Sequence, residues 1–369
     1  MAKVCYISPL SIHSLRWMEA FSQRDYDLSL IKDSLWNYGC VIPKSTSIRV
    51  YALPTLTRTN FPRRFVSNYF AIMKILKRIA PDFVHLHVQH HYWPVIVKSG
   101  FPFILTAWGG EVLRLLGTNI FRKSLAKSAA HKAHMITVDA KCLKDIWVNM
   151  GVPEDKIRVI PFGVDVDLFN PNVDGRSIRE EFRISKKDIV VISTRAFYND
   201  HYNLECLIEA IPSIIEACEN VKFIMKGSGP LERYLKNLAK KLGVKEHVHF
   251  HGVVPHNKMP QFLSAADIYV STCFFDTTSV SLLEAMACKL APVVTDILGN
   301  REWIRDGVNG FLFPPRNKAV LAEKIIRLAE NHKLRDIFSR RCVDIVEKRA
   351  RWEHCVSKMQ AIYETLLKR

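Results

Sequence analysis

The stretch that decides the fold runs from Ile268 to Thr295 and reads IYVSTCFFDTTSVSLLEAMACKLAPVVT. Its first apolar run, Ile268–Ser271, predicts a short buried strand, and its last run, Ala291–Thr295, predicts another. Between them the sequence predicts a helix over Ser281–Ala287. A strand, a helix and a strand joined by short turns form a βαβ unit, which builds a parallel sheet. We therefore predict an α/β fold.

The same alternation continues on both sides of this stretch. In the first half the sequence predicts strands at residues 3–9, 26–31, 82–87, 103–107, 135–138 and 157–160. In the second half it predicts further strands at residues 188–193, 221–225, 248–251 and 310–313. Residues 162–175 are rich in Gly, Pro, Asp and Asn and lack periodicity, which predicts a linker. We expect two Rossmann-like domains that face each other across a cleft, where phosphate-bearing ligands usually bind.

The predicted domains are residues 1–170 and 171–347, and the basic tail 348–369 is predicted to be a helix that crosses back onto the first domain. A length of 369 residues is about twice the usual size of one domain. With 48% hydrophobic and 24% charged residues, the composition is that of a globular protein and excludes a disordered chain.

The net charge of +17 predicts an anionic partner, such as nucleic acid, a membrane surface or a phosphorylated small molecule. Most of this excess lies in the first 150 residues, which carry 20 basic and 8 acidic side chains. The charge therefore belongs mainly to the first predicted domain.

The cysteines and the N-terminus indicate a cytoplasmic protein. The nine cysteines are scattered, odd in number and contain no C-x-x-C pair, which argues against a disulfide framework or a zinc site. The first residues, MAKVCYISPLSIHSLRW, lack the apolar region and cleavage site of a signal peptide. No apolar stretch approaches the roughly 20 residues that span a bilayer. We expect a cytoplasmic protein, at most peripheral on the cytoplasmic membrane face.

The residues before and within the predicted helix form a candidate anion site. The backbone N–H groups of Ser279, Val280 and Ser281 would begin the helix and favour a bound anion. Asp276 and Glu284 could accept hydrogen bonds from sugar or ribose hydroxyls. The alternative is that Asp276 is a plain loop acid and that Glu284 caps or pairs locally.

An ordered set of motifs resembles the retaining glycosyltransferases of the GT-B fold, family 4, also called glycosyl transferases group 1. That family has an E-x7-E pattern leading into EAMA-x-G-x-P-V-V and a later G-x-x-E. The matching segments here are Glu284-Ala-Met-Ala, Pro292-Val-Val, Gly299-Asn-Arg-Glu302, Asp306-Gly-Val-Asn-Gly, Gly227-Ser-Gly-Pro, Gly252-Val-Val-Pro and Val159-Ile-Pro-Phe-Gly-Val-Asp165. Together they cover most of residues 130–330 in the right order.

The resemblance implies roles for these residues. Glu284 would hold the ribose of a nucleotide sugar, and Asp276, which replaces the family's first Glu, would contact the sugar that is transferred. Arg195 would bind the diphosphate, and the donor site would further include Gly227, Val254, Ser279, Val280 and Ser281. The family has a lysine where this chain has Tyr202, so the second cation is missing, and His201 or a basic residue of the first domain is a candidate replacement.

The first domain departs further from the family. Its first strand is followed by Ser8-Pro-Leu-Ser-Ile-His13 without a glycine. His87, at the end of the strand PDFVHLH, would touch the donor sugar by resemblance, and a purely structural histidine is the alternative. The run His85, His87, His90 and His91 suggests a metal site, but no acid or cysteine accompanies it and the family works without a metal. We expect no metal and no cofactor.

Basic and aromatic residues alternate between positions 58 and 78. They include Arg58, Arg63, Arg64, Lys74, Lys77, Arg78, Phe65, Tyr69 and Phe70. This pattern predicts either a helix on an anionic membrane surface or an ordinary amphipathic helix with a solvated basic face.

The leading hypothesis is a retaining hexosyltransferase that moves a sugar from a nucleotide-diphosphate sugar to a hydroxyl of a glycan or lipid-linked acceptor. The alternatives are a nucleotide-sugar epimerase of GT-B fold and a non-catalytic basic protein that binds lipid or nucleic acid. No recognisable nucleic-acid module is present, so nucleic acid is not expected as a partner.

Overall fold

The structure is a computed structural model that describes residues 1–32, 42, 46–54, 61–87, 92–109, 120–198 and 200–368. The chain divides into two compact units. The first comprises Met1–Phe162 together with Cys355–Arg369, and the second comprises Gly163–His354. The predicted boundaries after residues 170 and 347 lie a few residues from these.

The described part of the first unit contains a seven-stranded parallel sheet in the order β3-β2-β1-β4-β5-β6-β7. Its strands are β1 (Ala2–Ile7), β2 (Tyr26–Lys32), β3 (Arg49–Ala52), β4 (Phe83–His87), β5 (Phe103–Ala107), β6 (Met135–Val138) and β7 (Ile157–Val159). Its helices are Ile12–Ser22, Phe61–Ile79, Trp93–Ser99, Ile120–Lys132 and Lys141–Asn149. Every residue of the central strands β4 and β5 is buried, as expected for a parallel sheet covered on both faces.

The second unit contains a six-stranded parallel sheet in the order β10-β9-β8-β11-β12-β13. Its strands are β8 (Ile189–Ser193), β9 (Val221–Lys226), β10 (Val248–His251), β11 (Ile268–Ser271), β12 (Ala291–Thr295) and β13 (Phe311–Phe313). Its helices are Arg176–Glu181, Leu204–Ala217, Glu232–Lys241, Met259–Ser264, Val280–Ala287, Leu298–Arg301, Lys318–Glu330 and His332–Arg349. Two Rossmann-like parallel sheets confirm the predicted α/β fold.

The strand order positions a candidate site in each unit. In the second unit the chain runs outward from β8 in one direction through β9 and β10, and in the other through β11, β12 and β13. Ligands of such sheets bind outside the carboxyl ends of the strands where the order reverses, here β8 and β11. In the first unit the same position lies at the ends of β1 and β4.

The structure differs from the predicted linker. Val164 and Phe169 are buried in a hydrophobic cluster of the second unit, and the Val164 N–H donates to the Ala350 carbonyl at 2.7 Å. The segment is therefore a packed part of that unit.

The tail is not the one continuous helix that the sequence predicted. One helix ends at Arg349 and the next, Trp352–Leu367, begins three residues later. The break occurs because the Ala350 carbonyl and the Trp352 N–H are hydrogen-bonded to the backbone of Val164. Most of the second helix belongs to the first unit, where Tyr363 is fully buried.

Candidate active site

The centre of the second unit's site is the guanidinium of Arg195, two residues after β8. It is nearly buried, with 8% of the residue exposed. Its Nε donates to Ser271 Oγ at 3.0 Å, and its Nη2 donates to Asp276 Oδ2 at 3.0 Å and to Ser279 Oγ at 2.7 Å. Arg195 therefore connects the ends of β8 and β11 with the start of the helix Val280–Ala287.

The neighbours of Arg195 keep it charged. Burial by itself lowers the pKa of a guanidinium, but the surrounding Tyr269, Cys273 and Asp276 outweigh it and raise the pKa of Arg195 above its ordinary value. The ring of Tyr202 lies beside the cation, 5.6 Å from Cζ to the ring centroid. The result is a fixed positive charge with a single carboxylate partner, Asp276, among the described residues.

The start of the helix Val280–Ala287 adds a second source of positive potential. Ser279 is its N-cap and accepts the Leu282 N–H at 3.2 Å, while Ser281 Oγ lies 2.8 Å from the hydroxyl of Tyr269. The first N–H groups of a helix lack partners within it and carry the positive end of the helix dipole. Ser279 Oγ accepts from Arg195, and Val280 and Ser281 follow it in the first turn, so the three predicted residues lie next to Arg195 at the start of this helix.

Two glycines allow the backbone to pack closely around Arg195. A Cβ added at Gly227 would come within 2.4 Å of the Arg195 carbonyl oxygen. A Cβ added at Gly299 would come within 2.0 Å of the Thr277 carbonyl oxygen, in the loop that carries Asp276. Both are closer than any side chain tolerates, so these positions need glycine.

Glu284 has a partner that the sequence did not reveal. Its residue is 6% exposed, and its Oε1 lies 2.6 Å from the Nε2 of His256, which donates to it. His256 follows Gly252-Val-Val-Pro directly, so this loop, which contains Val254, is tied to the helix that carries Glu284. His256 and Glu284 are 28 residues apart in the sequence, so no local pattern predicts their contact. Only the folded structure brings them together.

The first unit holds His87 in a buried hydrogen-bond network. The side chains of His85, His87, Tyr6 and Tyr363 are fully buried. The Tyr363 hydroxyl is hydrogen-bonded to His85 Nδ1 at 2.5 Å, and the two histidines lie 3.2 Å apart, Nε2 to Nε2. Burial lowers the pKa of His87 to about 3, so its imidazole is neutral.

The network also fixes the tautomer of His87. The Ser8 hydroxyl donates to the Pro9 carbonyl at 3.0 Å, so it accepts from His87 Nδ1 at 3.3 Å. With Nδ1 protonated, the neutral ring of His87 leaves Nε2 as an acceptor, 3.2 Å from His85 Nε2, which also lies 2.5 Å from Thr106 Oγ1. Both ring nitrogens of His87 thus have partners in the first unit, and its contact with a donor sugar stays a prediction.

Several predicted features are placed elsewhere or lie outside the described residues. The ring of His201, the candidate second cation, lies against Phe275 at 3.7 Å between centroids. His90 and His91 are outside the described residues, as is Arg58. Among the described residues no three His, Cys, Asp or Glu side chains converge as metal ligands. None of the described helices is both long and apolar enough to cross a bilayer.

Comparison with known proteins identifies the family. The model of glycosyl transferases group 1 matches residues 174–342, and a glycosyl transferase 4-like model matches residues 3–140. The chain belongs to the group 1 glycosyltransferases. Its fold resembles that of sucrose-phosphate synthase from Thermosynechococcus elongatus, with a TM-score of 0.82, 18% identity and full coverage of both chains. It also resembles Anabaena HepE in complex with UDP-glucose, with a TM-score of 0.79, 15% identity and coverage of 99% and 100%.

The relatives by sequence are distant. The UDP-Gal:alpha-D-GlcNAc-diphosphoundecaprenol alpha-1,3-galactosyltransferase of Escherichia coli is 25% identical over 89% of this chain and 86% of its own length. The chain also matches the "Uncharacterized glycosyltransferase MJ1607" of Methanocaldococcus jannaschii at 26% identity and the "Putative glycosyltransferase EpsD" of Bacillus subtilis at 30% identity, but it spans only 61% and 45% of their own lengths. The GT-B fold and the group 1 glycosyltransferase family predicted from the motifs are confirmed.

Proposed function

We propose that this glycosyltransferase takes its sugar from a nucleotide-diphosphate sugar and transfers it with retention of configuration. The observation that carries the proposal is the pairing of Arg195 with the start of the helix Val280–Ala287 at the carboxyl ends of β8 and β11. A diphosphate leaving group gains negative charge as its bond to the sugar breaks. A fixed cation and a helix N-terminus stabilise that charge in the transition state.

The reaction forms one bond and breaks one. The bond between the sugar's anomeric carbon and the diphosphate oxygen breaks, and a bond from that carbon to the acceptor oxygen forms. The acceptor's proton passes to the departing phosphate on the same face of the sugar. In this proposal Glu284 binds the ribose, Asp276 orients Arg195 and the sugar, and no cofactor or metal takes part.

The experiment is a panel of nucleotide sugars followed by release of nucleoside diphosphate and by NMR of the product's anomeric proton. We expect release with at least one donor and a product of unchanged anomeric configuration. Glu284→Gln should lose activity with that donor, whereas Glu232→Gln, on an exposed helix, should keep it. An inverted product contradicts retention, and conversion of the donor to its epimer favours the epimerase.

We further propose a lipid-linked acceptor and peripheral binding to an anionic membrane. The helix Phe61–Ile79 exposes Val66 and Phe70, 53% and 66% exposed, four residues apart, and continues with exposed Lys74, Lys77 and Arg78. An exposed apolar pair next to a row of cations is suited to the boundary between acyl chains and anionic headgroups. The name of the Escherichia coli relative, which acts on a diphosphoundecaprenol-linked sugar, supports the same class of acceptor.

Cosedimentation with vesicles tests the membrane proposal. We expect binding to anionic vesicles that weakens with salt, and little binding to neutral ones. The double variant Lys74→Glu with Lys77→Glu should lose this binding. The matched variant Lys240→Glu with Lys241→Glu, on a helix of the second unit, should keep it. Equal binding by both double variants contradicts the proposal that the helix Phe61–Ile79 binds the membrane.

A further inference from the structure

Lys226 is a buried lysine that none of the roles above uses. It ends β9, one residue before Gly227, and only 3% of the residue is exposed. Its Nζ donates to the carbonyl of Gly252 and lies 5.0 Å from the centroid of the Phe262 ring. A buried ammonium held by one carbonyl and one aromatic ring is an unusual arrangement, because lysine is almost never fully buried without a charged partner.

The charge of Lys226 is not compensated by the described residues. No described carboxylate lies within 4.0 Å of its Nζ, and one protein acceptor serves an ammonium that carries three N–H groups. This desolvation lowers the pKa of Lys226 to about 8. An apolar residue in its place would spare the fold that cost, so the side chain is better explained by a ligand than by stability.

Lys226 lies in the same unit as Arg195, where it would meet the end of a bound nucleotide that is far from the diphosphate. Its ring contact Phe262 belongs to the hydrophobic cluster that includes Leu282 and Leu283, so Lys226 lies on the sheet face that carries the helix of Glu284. Lys226 reaches from β9 to the end of β10, whereas Arg195 reaches from β8 to the end of β11. The strand order places the ends of β10 and β11 three spacings apart, ~14 Å at ~4.8 Å per strand, so the two cations are well separated along the carboxyl edge of the sheet.

The loop beyond Lys226 is open and borders the ribose site. A Cβ added at Gly252, whose carbonyl holds the ammonium, would meet no atom within 4 Å. Four residues later His256 holds Glu284, the proposed ribose ligand. A nucleotide with its diphosphate at Arg195 and its ribose at Glu284 would therefore extend its base toward Gly252 and Lys226.

We propose that Lys226 recognises the nucleobase of the donor by donating a hydrogen bond to a base carbonyl oxygen. This inference rests on the proposed nucleotide-sugar donor. An ammonium only donates, so it favours the carbonyl oxygens of uracil or guanine and disfavours the amino group of adenine. Lys226 is thereby a specificity-determining residue of the donor site.

Calorimetric titration of the full-length protein with UDP, GDP and ADP tests this proposal. We expect the wild type to bind UDP or GDP about 10-fold or more tightly than ADP. Lys226→Met should weaken binding of that carbonyl-bearing nucleotide alone and bring the ratio to ADP close to one. Lys222→Met, on the same strand, should leave the ratio unchanged. Lys226→Leu provides a second apolar replacement.

The outcomes separate this inference from the proposed function. A ratio that Lys226→Met leaves unchanged, or an equal loss for all three nucleotides, overturns base recognition while the donor site stands. Binding of none of the three to the wild type overturns the donor site and the inference with it. The tighter binder of UDP and GDP identifies the base of the donor as uracil or guanine.

Thermal unfolding supplies a second readout. The pKa of Lys226 is lowered from 10.5 to about 8, so the unfolded chain binds this proton more tightly than the folded one. The contribution of Lys226 to the free energy of unfolding is therefore most favourable above pH 10.5, where the side chain is neutral in both states. It becomes less favourable as the pH falls from 10.5 to about 8. Lys226→Met should therefore raise Tm at pH 7, and the gain should shrink above pH 10. A lower Tm at pH 7 would show that the ammonium is needed for the fold and would overturn the proposal.

Discussion

At the residue scale, the candidate site depends on which charged groups are already paired. Asp276 accepts from Arg195 and also from the Thr277 N–H at 2.9 Å, so its carboxylate is committed within the loop. Glu284 is likewise held by His256. The sequence identified both acids but not these partners, because a side-chain contact between distant residues has no local pattern.

Asp276→Asn separates binding from turnover. The amide keeps the shape of the side chain but removes the negative charge that opposes an incoming diphosphate and fixes Arg195. We expect kcat to fall about 10-fold while the donor KM does not rise. Steady-state kinetics measures both, with Asp174→Asn at an exposed position as the control. A rise in KM with unchanged kcat would contradict the role given to Asp276.

His256→Ala tests the support of Glu284. The methyl group leaves a nearly buried carboxylate without its 2.6 Å donor, which costs about 1–3 kcal/mol of folding stability. We expect a lower Tm and a higher donor KM than in the wild type. Unchanged values of both would show that His256 does not hold Glu284 in solution.

At the element scale, the sequence predicted the strands that consist of continuous apolar runs, but it did not predict the strand whose residues are mostly exposed. The predictions for β5, β6, β10, β11 and β12 match their observed bounds. The edge strand β3 was missed because three of its four residues are exposed and it lacks an apolar run. The helices Trp93–Ser99 and Lys141–Asn149 were missed because they are short and neither has a side-chain cap at its start.

The strand ends of the first unit make its stability depend on pH. His85 and His87 are neutral in the folded state, since burial lowers both pKa values below their ordinary 6.5. The unfolded chain takes up these protons below pH 6.5, so the free energy of unfolding falls as the pH drops from there toward 3. Denaturant unfolding at several pH values measures the slope, and His87→Gln should reduce it. An equal slope in both proteins would contradict the buried network.

Tyr363→Phe tests how the C-terminal helix supports this network. The variant removes the hydroxyl that is hydrogen-bonded to His85 Nδ1 and leaves a buried ring nitrogen without that partner. We expect a loss of about 1–3 kcal/mol in the free energy of unfolding. Tyr51→Phe, on the edge strand β3, should cost much less. Equal losses in the two variants would contradict the contact.

At the scale of the whole molecule, the sequence predicted the class and the fold but not the detail of recognition. The ordered motifs of residues 130–330 identified a group 1 glycosyltransferase because its fold needs glycines and turns at fixed places, such as Gly227 and Gly299. The excess charge of the first 150 residues suggested an anionic partner, such as a membrane surface, for the first domain. The uncompensated cation of Lys226 became visible only in the folded second unit.

Calorimetric titration of a nucleoside diphosphate into the wild type and into Arg195→Ala tests directly whether Arg195 binds the diphosphate. We expect the wild type to bind at least one nucleoside diphosphate and the variant, still folded by circular dichroism, to bind it about 100-fold more weakly. The reason is that the buried cation beside the helix N-terminus is lost. Equal affinity in the two proteins would contradict the placement of the diphosphate at β8 and β11.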